Sequence, residues 1–154
     1  MKKILGTALL LASTVSMAAT DNYLFLQTAS QGNLVKNKDN SYTLTLEHSP
    51  KYVDYFTDRP ERKAGMVTLE QFVQLWKSKA IKNNFSEVPP NAAIAVKPVG
   101  GVPEHFIAEV TKPTYSNNTL SYKLKIISSN KVHIGKLVHV NMFFDDIPWN
   151  PGGF

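Results

Sequence analysis

The chain has 154 residues, 43% of them apolar and 19% charged, with 17 Lys+Arg against 12 Asp+Glu and no cysteine. This composition suits one globular domain rather than a disordered or fibrous chain. The lack of cysteine excludes a disulfide framework, a thiolate metal site, a cysteine nucleophile and an acylated lipoprotein cysteine.

Residues 1–18 have the three parts of a secretory leader. Lys2 and Lys3 give the charged start, Ile4 to Ala12 a short apolar run, and Ser13 to Ala18 the small residues of a cleavage site. Ser16 and Ala18 place the cut after Ala18, with Ala19 the near alternative. The apolar run is too short to span ~30 Å of hydrocarbon comfortably, and no second run of ~20 apolar residues follows. The expectation is therefore an exported protein, periplasmic or extracellular, with no stable membrane insertion after cleavage and one domain over residues 19–154. Without Lys2 and Lys3 the formal balance falls to fifteen cations against twelve anions. The remaining lysines are scattered and form no phosphate-facing stripe, which argues against nucleic acid as a partner.

Along the domain, Tyr23 to Gln27 is a β-prone run, punctuated by a turn at Gln31-Gly32-Asn33. Leu34-Val35 leads to a polar hairpin loop, Asn37 to Asn40. From Ser41 to His48, Tyr42, Leu44 and Leu46 alternate with Thr43, Thr45 and Glu47, the period of a half-buried strand. Tyr52 to Thr57 reads as a third strand and Asp58 to Gly65 as a loop. A helix follows over about 68–82, with Thr68 as N-cap, Gln71 as its capping-box partner, and an apolar stripe through Leu69, Phe72, Val73, Leu75 and Trp76. Pro89-Pro90 stiffens the next connection. Short strands are expected at Ala92 to Val96, Glu104 to Lys112, Thr119 to Ser128, Val132 to Ile134 and Leu137 to Phe144, with turns at Pro113 to Asn118 and Ser129 to Lys131. Residues 145–154 form a Pro/Gly-rich tail.

Seven or eight strands with closely spaced turns and a single inserted helix predict a mainly β domain. An antiparallel β-sandwich of broadly immunoglobulin-like layout is favoured over a parallel α/β sheet, which needs a helix between most strands.

The most distinctive stretch is Tyr52-Val53-Asp54-Tyr55-Phe56-Thr57-Asp58-Arg59-Pro60-Glu61-Arg62-Lys63-Ala64-Gly65. It resembles a family of small, exported, uncharacterised bacterial proteins that carry the motif Tyr-Phe-Ser/Thr-Asp-Arg-Pro-Glu-Arg-x-x-Gly. In that family a strand like Tyr42 to Leu46 precedes the motif. A helix ending near a Trp (here Trp76) and a Pro-Pro-Asn-Ala-Ala segment (here Pro89 to Ala93) follow it. The resemblance spans residues 23–96 and brings no activity with it.

Asp58-Arg59-Pro60-Glu61-Arg62 places four charges around a proline. Two roles fit. The guanidinium forks of Arg59 and Arg62 could satisfy Asp58 and Glu61 themselves, a self-paired loop locking helix to sheet. Alternatively Asp58, Arg59, Glu61 and Arg62 line a pocket for an anionic ligand, a carboxylate, phosphate or sulfated sugar. Asp58 and Glu61 form a catalytic pair only if their surroundings push their pKa values apart. His48, His105, His133 and His139 have no metal-ligand spacing, so a metal site requires assembly across strands, with Asp145-Asp146 as possible further ligands. Trp149 either folds back on the core or offers an aromatic contact to a sugar or protein.

The chain thus reads as a secreted, non-catalytic binding or interaction module, with an unknown protein, an anion or a carbohydrate as partner and no cofactor. The alternatives are a small hydrolase using carboxylates near Asp58 and Glu61, with or without a metal, and a periplasmic structural or accessory protein.

Overall fold

The computed structural model describes residues 21–77, 79, 84–128 and 131–149. The expected leader, the end of the expected helix, part of the turn after Ser128 and the last five residues of the tail lie outside them. Among the described residues nine strands and one helix form in the order β1 (Asn22–Ala29), β2 (Gln31–Lys36), β3 (Tyr42–Glu47), β4 (Tyr52–Thr57), β5 (Ala64–Thr68), α1 (Leu69–Gln74), β6 (Asn91–Pro98), β7 (Glu104–Ser116), β8 (Thr119–Ile126) and β9 (Gly135–Pro148).

All strand pairings are antiparallel, and the sheet order is β2-β3-β8-β7-β6-β9-β1-β4-β5, with a further pairing of β2 to β9. That extra pairing closes six strands, β2-β3-β8-β7-β6-β9, into a barrel. The expectation of a mainly β antiparallel domain with one helix is met, but the sandwich is replaced by a barrel with a three-strand extension.

The reason lies in β1, β2 and β9. Only Ser30 separates β1 from β2, so residues 22–36 form nearly one bent strand. One edge of the long β9 is shared between them: Val140 to Pro148 pair with β1, and Gly135 to Leu137 with β2. Where a turn was expected at Gln31-Gly32-Asn33, the chain instead continues as a strand. Gly32 permits the closure, since a Cβ there would sit 3.0 Å from the Thr45 carbonyl oxygen and 3.1 Å from Val140 Cγ2.

Burial alternates along the strands: Tyr23, Phe25, Gln27 and Ala29 are buried in β1, and Ala92, Ile94, Val96 and Pro98 in β6. The inward positions supply the core, including Leu34, Leu44, Ile94, Phe106, Tyr122 and Phe144. Against it pack α1 and the β4–β5 hairpin. Thr68 Oγ1 accepts from Gln71 N at 3.2 Å while Thr68 N donates to Gln71 Oε1 at 3.0 Å, the expected capping box. Leu69, Phe72 and Val73 bury the apolar stripe. The helix is shorter than expected. Its last turn tightens to three-residue bonds at Leu75, Trp76 and Lys77, and Trp76 Nε1 is tied to the Val110 carbonyl at 3.1 Å. Four further differences appear: Ala64–Thr68 is a strand rather than the end of a loop, residues 113–116 continue β7 rather than begin a turn, residues 132–134 are not a strand, and residues 145–148 belong to β9 rather than to a tail.

Candidate functional site

The stretch 58–63 is the loop of the β4–β5 hairpin. Its backbone is held from within: Thr57 N donates to the Lys63 carbonyl at 2.9 Å, Lys63 N to Thr57 Oγ1 at 2.8 Å, and Arg62 N to the Asp58 carbonyl at 3.3 Å. The Arg59–Pro60 peptide is cis and Arg62 has φ +50°. Asp58 Oδ1 accepts from Arg59 N at 2.7 Å. Asp58, Arg59, Glu61 and Arg62 are all exposed.

The two ion pairs among the described residues are Lys63–Asp21 and Lys123–Asp39. Arg59 and Arg62 therefore do not pair with Asp58 and Glu61. The loop's shape comes from backbone bonds and Thr57, not from a network of its charges. The hydrogen bond to Asp21 also holds the Lys63 ammonium above its ordinary pKa.

Three of the four expected loop residues, Asp58, Arg59 and Glu61, open onto a pocket of about 460 Å³; Arg62 does not line it. The rest of its wall is Asp21, Asn22 and Leu24 at the start of β1, and Asp146 on β9. Sequence reasoning missed the β1 residues and considered Asp146 only as a metal ligand, because nothing local shows that β1 lies between β4 and β9. Asp146 arrives through a β-bulge. Between the pairs Tyr23–Ile147 and Phe25–Phe144, β9 carries one extra residue, so both Asp145 and Asp146 are exposed. Asn91 Nδ2 donates to Asp145 Oδ2 at 3.2 Å. Loss of solvation raises the Asp145 carboxyl pKa, the Asn91 bonds oppose this, and the Asp146 charge adds to the rise.

Four carboxylates and one guanidinium thus face the pocket. Beside it the wall is apolar: Leu24 pairs across strands with Phe56, which is 42% exposed. Carboxylates and a guanidinium fork are suited to accept from and donate to hydroxyls, while their balance of charge disfavours an anion.

Trp149 does not belong to this surface. It is 3% exposed and packs among Tyr23, Phe25 and Tyr55 with ring centroids 5.4–5.6 Å apart. Burial of its ring in this cluster decides for fold-back on the core and removes Trp149 from the ligand-contact residues. Its backbone N–H donates to the Asp21 carbonyl at 3.2 Å, so it supports the pocket from below.

The histidines are dispersed: His48 follows β3, His105 lies on β7, His133 precedes β9 and His139 lies on β9. His139 Nε2 meets Asn141 Nδ2 at 3.3 Å. Among the described residues no three His, Asp or Glu side chains gather in a metal-holding group, and no helix is long and apolar enough to cross a membrane. Compared with protein-family models, with curated proteins and with solved structures, the chain has no match.

Proposed function

We propose that this chain is an exported, non-catalytic binding module whose contact surface is the Asp58–Arg62 loop and the pocket beneath it, and whose ligand is a carbohydrate. The observation that carries the reading is a loop held by its backbone, Thr57 and the Lys63–Asp21 pair, which leaves Asp58, Arg59 and Glu61 outside any ion pair of the described residues over a 460 Å³ pocket. Side chains that are not needed to hold a loop are free to contact something else. Four carboxylates accept sugar hydroxyls, Arg59 donates to ring or hydroxyl oxygens, and Leu24 with Phe56 offers an apolar face to a pyranose ring. The same four carboxylates weigh against the anionic ligand that the two arginines suggested in sequence. Export rests on the leader-like residues 1–18 and on the likeness of Tyr52 to Gly65 to exported proteins.

The test is thermal unfolding of the full chain against a panel of neutral oligosaccharides, with inorganic phosphate and sulfate as anionic controls. A ligand at ~100 times its dissociation constant adds about 2.7 kcal/mol. A shift with an oligosaccharide that disappears in Arg59→Ala and Glu61→Gln supports the reading. Stabilisation by the anions alone, by nothing on the panel, or equally in both variants overturns it.

A further inference from the structure

A second concavity, sharing no residue with the loop pocket, lies between the end of α1, the turn at residues 84–88 and β7. It measures about 350 Å³, at the small end of ligand-sized pockets. We propose that it binds an amphipathic monocarboxylate, an acyl or aryl chain ending in one carboxylate, with the chain on an aromatic–proline wall and the head between Lys77 and Lys112.

The wall is preformed. Trp76 is 7% exposed and cannot swing away while its Nε1 donates to the Val110 carbonyl at 3.1 Å. Phe85 packs on it with ring centroids 4.7 Å apart. Phe85 is itself fixed by its backbone N–H to the Leu75 carbonyl at 3.1 Å. Asn84 Oδ1 holds the following turn by accepting from Ser86 N at 2.9 Å and Glu87 N at 3.1 Å. Pro89 and Pro113 complete the surface, rigid and without N–H donors. An apolar ligand that enters such a groove orders little that is not already ordered.

The head-group end is set by a β-bulge. The pairing runs from Thr111–Lys123 to Thr114–Ser121, so β7 carries one more residue than β8. Lys112 sits in that bulge with φ +49°, a left-handed conformation that a non-glycine residue adopts at a cost. Bulges of this kind re-aim side chains, and here Lys112 joins Lys77 in lining the groove. Neither lysine belongs to the two ion pairs among the described residues. Among the described residues no carboxylate lines the groove. The adjoining depression, which shares Lys77 and Pro113, adds Glu70 and so disfavours an anion there. An apolar wall with two unpaired ammonium groups and no carboxylate selects an apolar body with one negative head.

The test is isothermal titration of the full-length chain, expressed from Met1, with octanoate, octanol and octylammonium, three probes with one tail and different heads. Octanoate should bind at least tenfold more tightly than octylammonium. Lys77→Gln and Lys112→Gly, the latter suited to a positive φ, should each weaken octanoate about five- to tenfold and leave octanol unchanged. Ser86→Trp, which fills the groove from an exposed position, should abolish octanoate binding. Equal affinity for the three heads, octanoate binding indifferent to both lysine substitutions or to Ser86→Trp, or no octanoate binding would each overturn the proposal.

Discussion

Tyr122 Oη donates a 2.6 Å hydrogen bond to Gln27 Oε1, joining β8 to β1 inside the core. The two residues are 1% and 2% exposed, and the Gln27 Nε2 has no hydrogen-bond partner among the described residues. The pair is therefore only half satisfied, and breaking it strands a second polar atom. Tyr122→Phe should cost ~1–3 kcal/mol in urea unfolding, the penalty for leaving a buried acceptor unmade. Adding Gln27→Leu should recover most of that loss, since removing both partners leaves nothing to desolvate. If the double variant is as unstable as Tyr122→Phe alone, the bond is not the cause.

The same contact sets an alkaline response. Burial raises the Tyr122 hydroxyl pKa well above its ordinary value near 10, with the Gln27 bond opposing the shift. A folded-state pKa above the unfolded one means that the native state holds its proton more tightly. The associated stability is complete below about pH 10 and is lost as pH rises from there toward the folded pKa. Stability measured from pH 9 to 11 should fall in the wild type and fall less steeply in Tyr122→Phe. Tyr23, whose pKa burial also raises, leaves a residual slope.

Gly65 faces Tyr55 across the β4–β5 pairing, and a Cβ at Gly65 would collide with the Tyr55 hydroxyl and ring. The tyrosine lies over the glycine and reaches Tyr23 at 5.2 Å and Trp149 at 5.4 Å. Gly65→Ala should cost ~1–3 kcal/mol by pushing Tyr55 off this cluster. In a Tyr55→Ala background the same substitution should be nearly neutral. A double-mutant cycle by thermal unfolding checks this, and additive costs would disprove it.

Much of this architecture is written locally. Thr68 and Gln71 announce the helix start, and the alternation of Leu120, Tyr122 and Leu124 announces β8, because capping and pleat period depend only on near neighbours. Closure of the barrel is not written locally. Period-two alternation is common to sandwiches and barrels, and what separates them is that β9 serves both β1 and β2. The loop pocket follows the same division. Asp58, Arg59 and Glu61 stand out as a charged cluster in one loop, whereas Asp21 and Asp146 reach it through strand order and a bulge. Trp149 left two roles open in the sequence because Pro148 and the glycines after it look like a tail, while Pro148 pairs with Asn22 at the end of β9 and the ring folds back on the core.

Trp149 anchors that end of β9. Trp149→Ala should cost ~3–5 kcal/mol, as for other large aromatic truncations in a core, and should loosen Asp21, to whose carbonyl its N–H donates. Trp149→Phe keeps ring contacts with Tyr23, Phe25 and Tyr55 and should cost less than half as much. Intrinsic fluorescence during urea unfolding reports both. A Trp149→Ala variant within 1 kcal/mol of wild type would show that the cluster does not depend on it.

The loop separates shape from charge. Arg59, Glu61 and Arg62 are exposed and outside the ion pairs of the described residues, so Arg59→Ala, Glu61→Gln and Arg62→Ala should each change stability by no more than ~0.5 kcal/mol. Thr57 behaves differently. It is 6% exposed, and its hydroxyl accepts the 2.8 Å bond from Lys63 N that closes the loop. Thr57→Ala should cost about 1 kcal/mol, and Thr57→Ser, which keeps the oxygen, should restore most of it. Parallel thermal unfolding of the five variants decides the matter. If the charge substitutions destabilise as much as Thr57→Ala, the charges hold the fold and are not reserved for a ligand. If only Thr57 matters, the three charged side chains contribute little to folding, and the placing of Arg59 and Glu61 over the pocket has to be explained by what they contact.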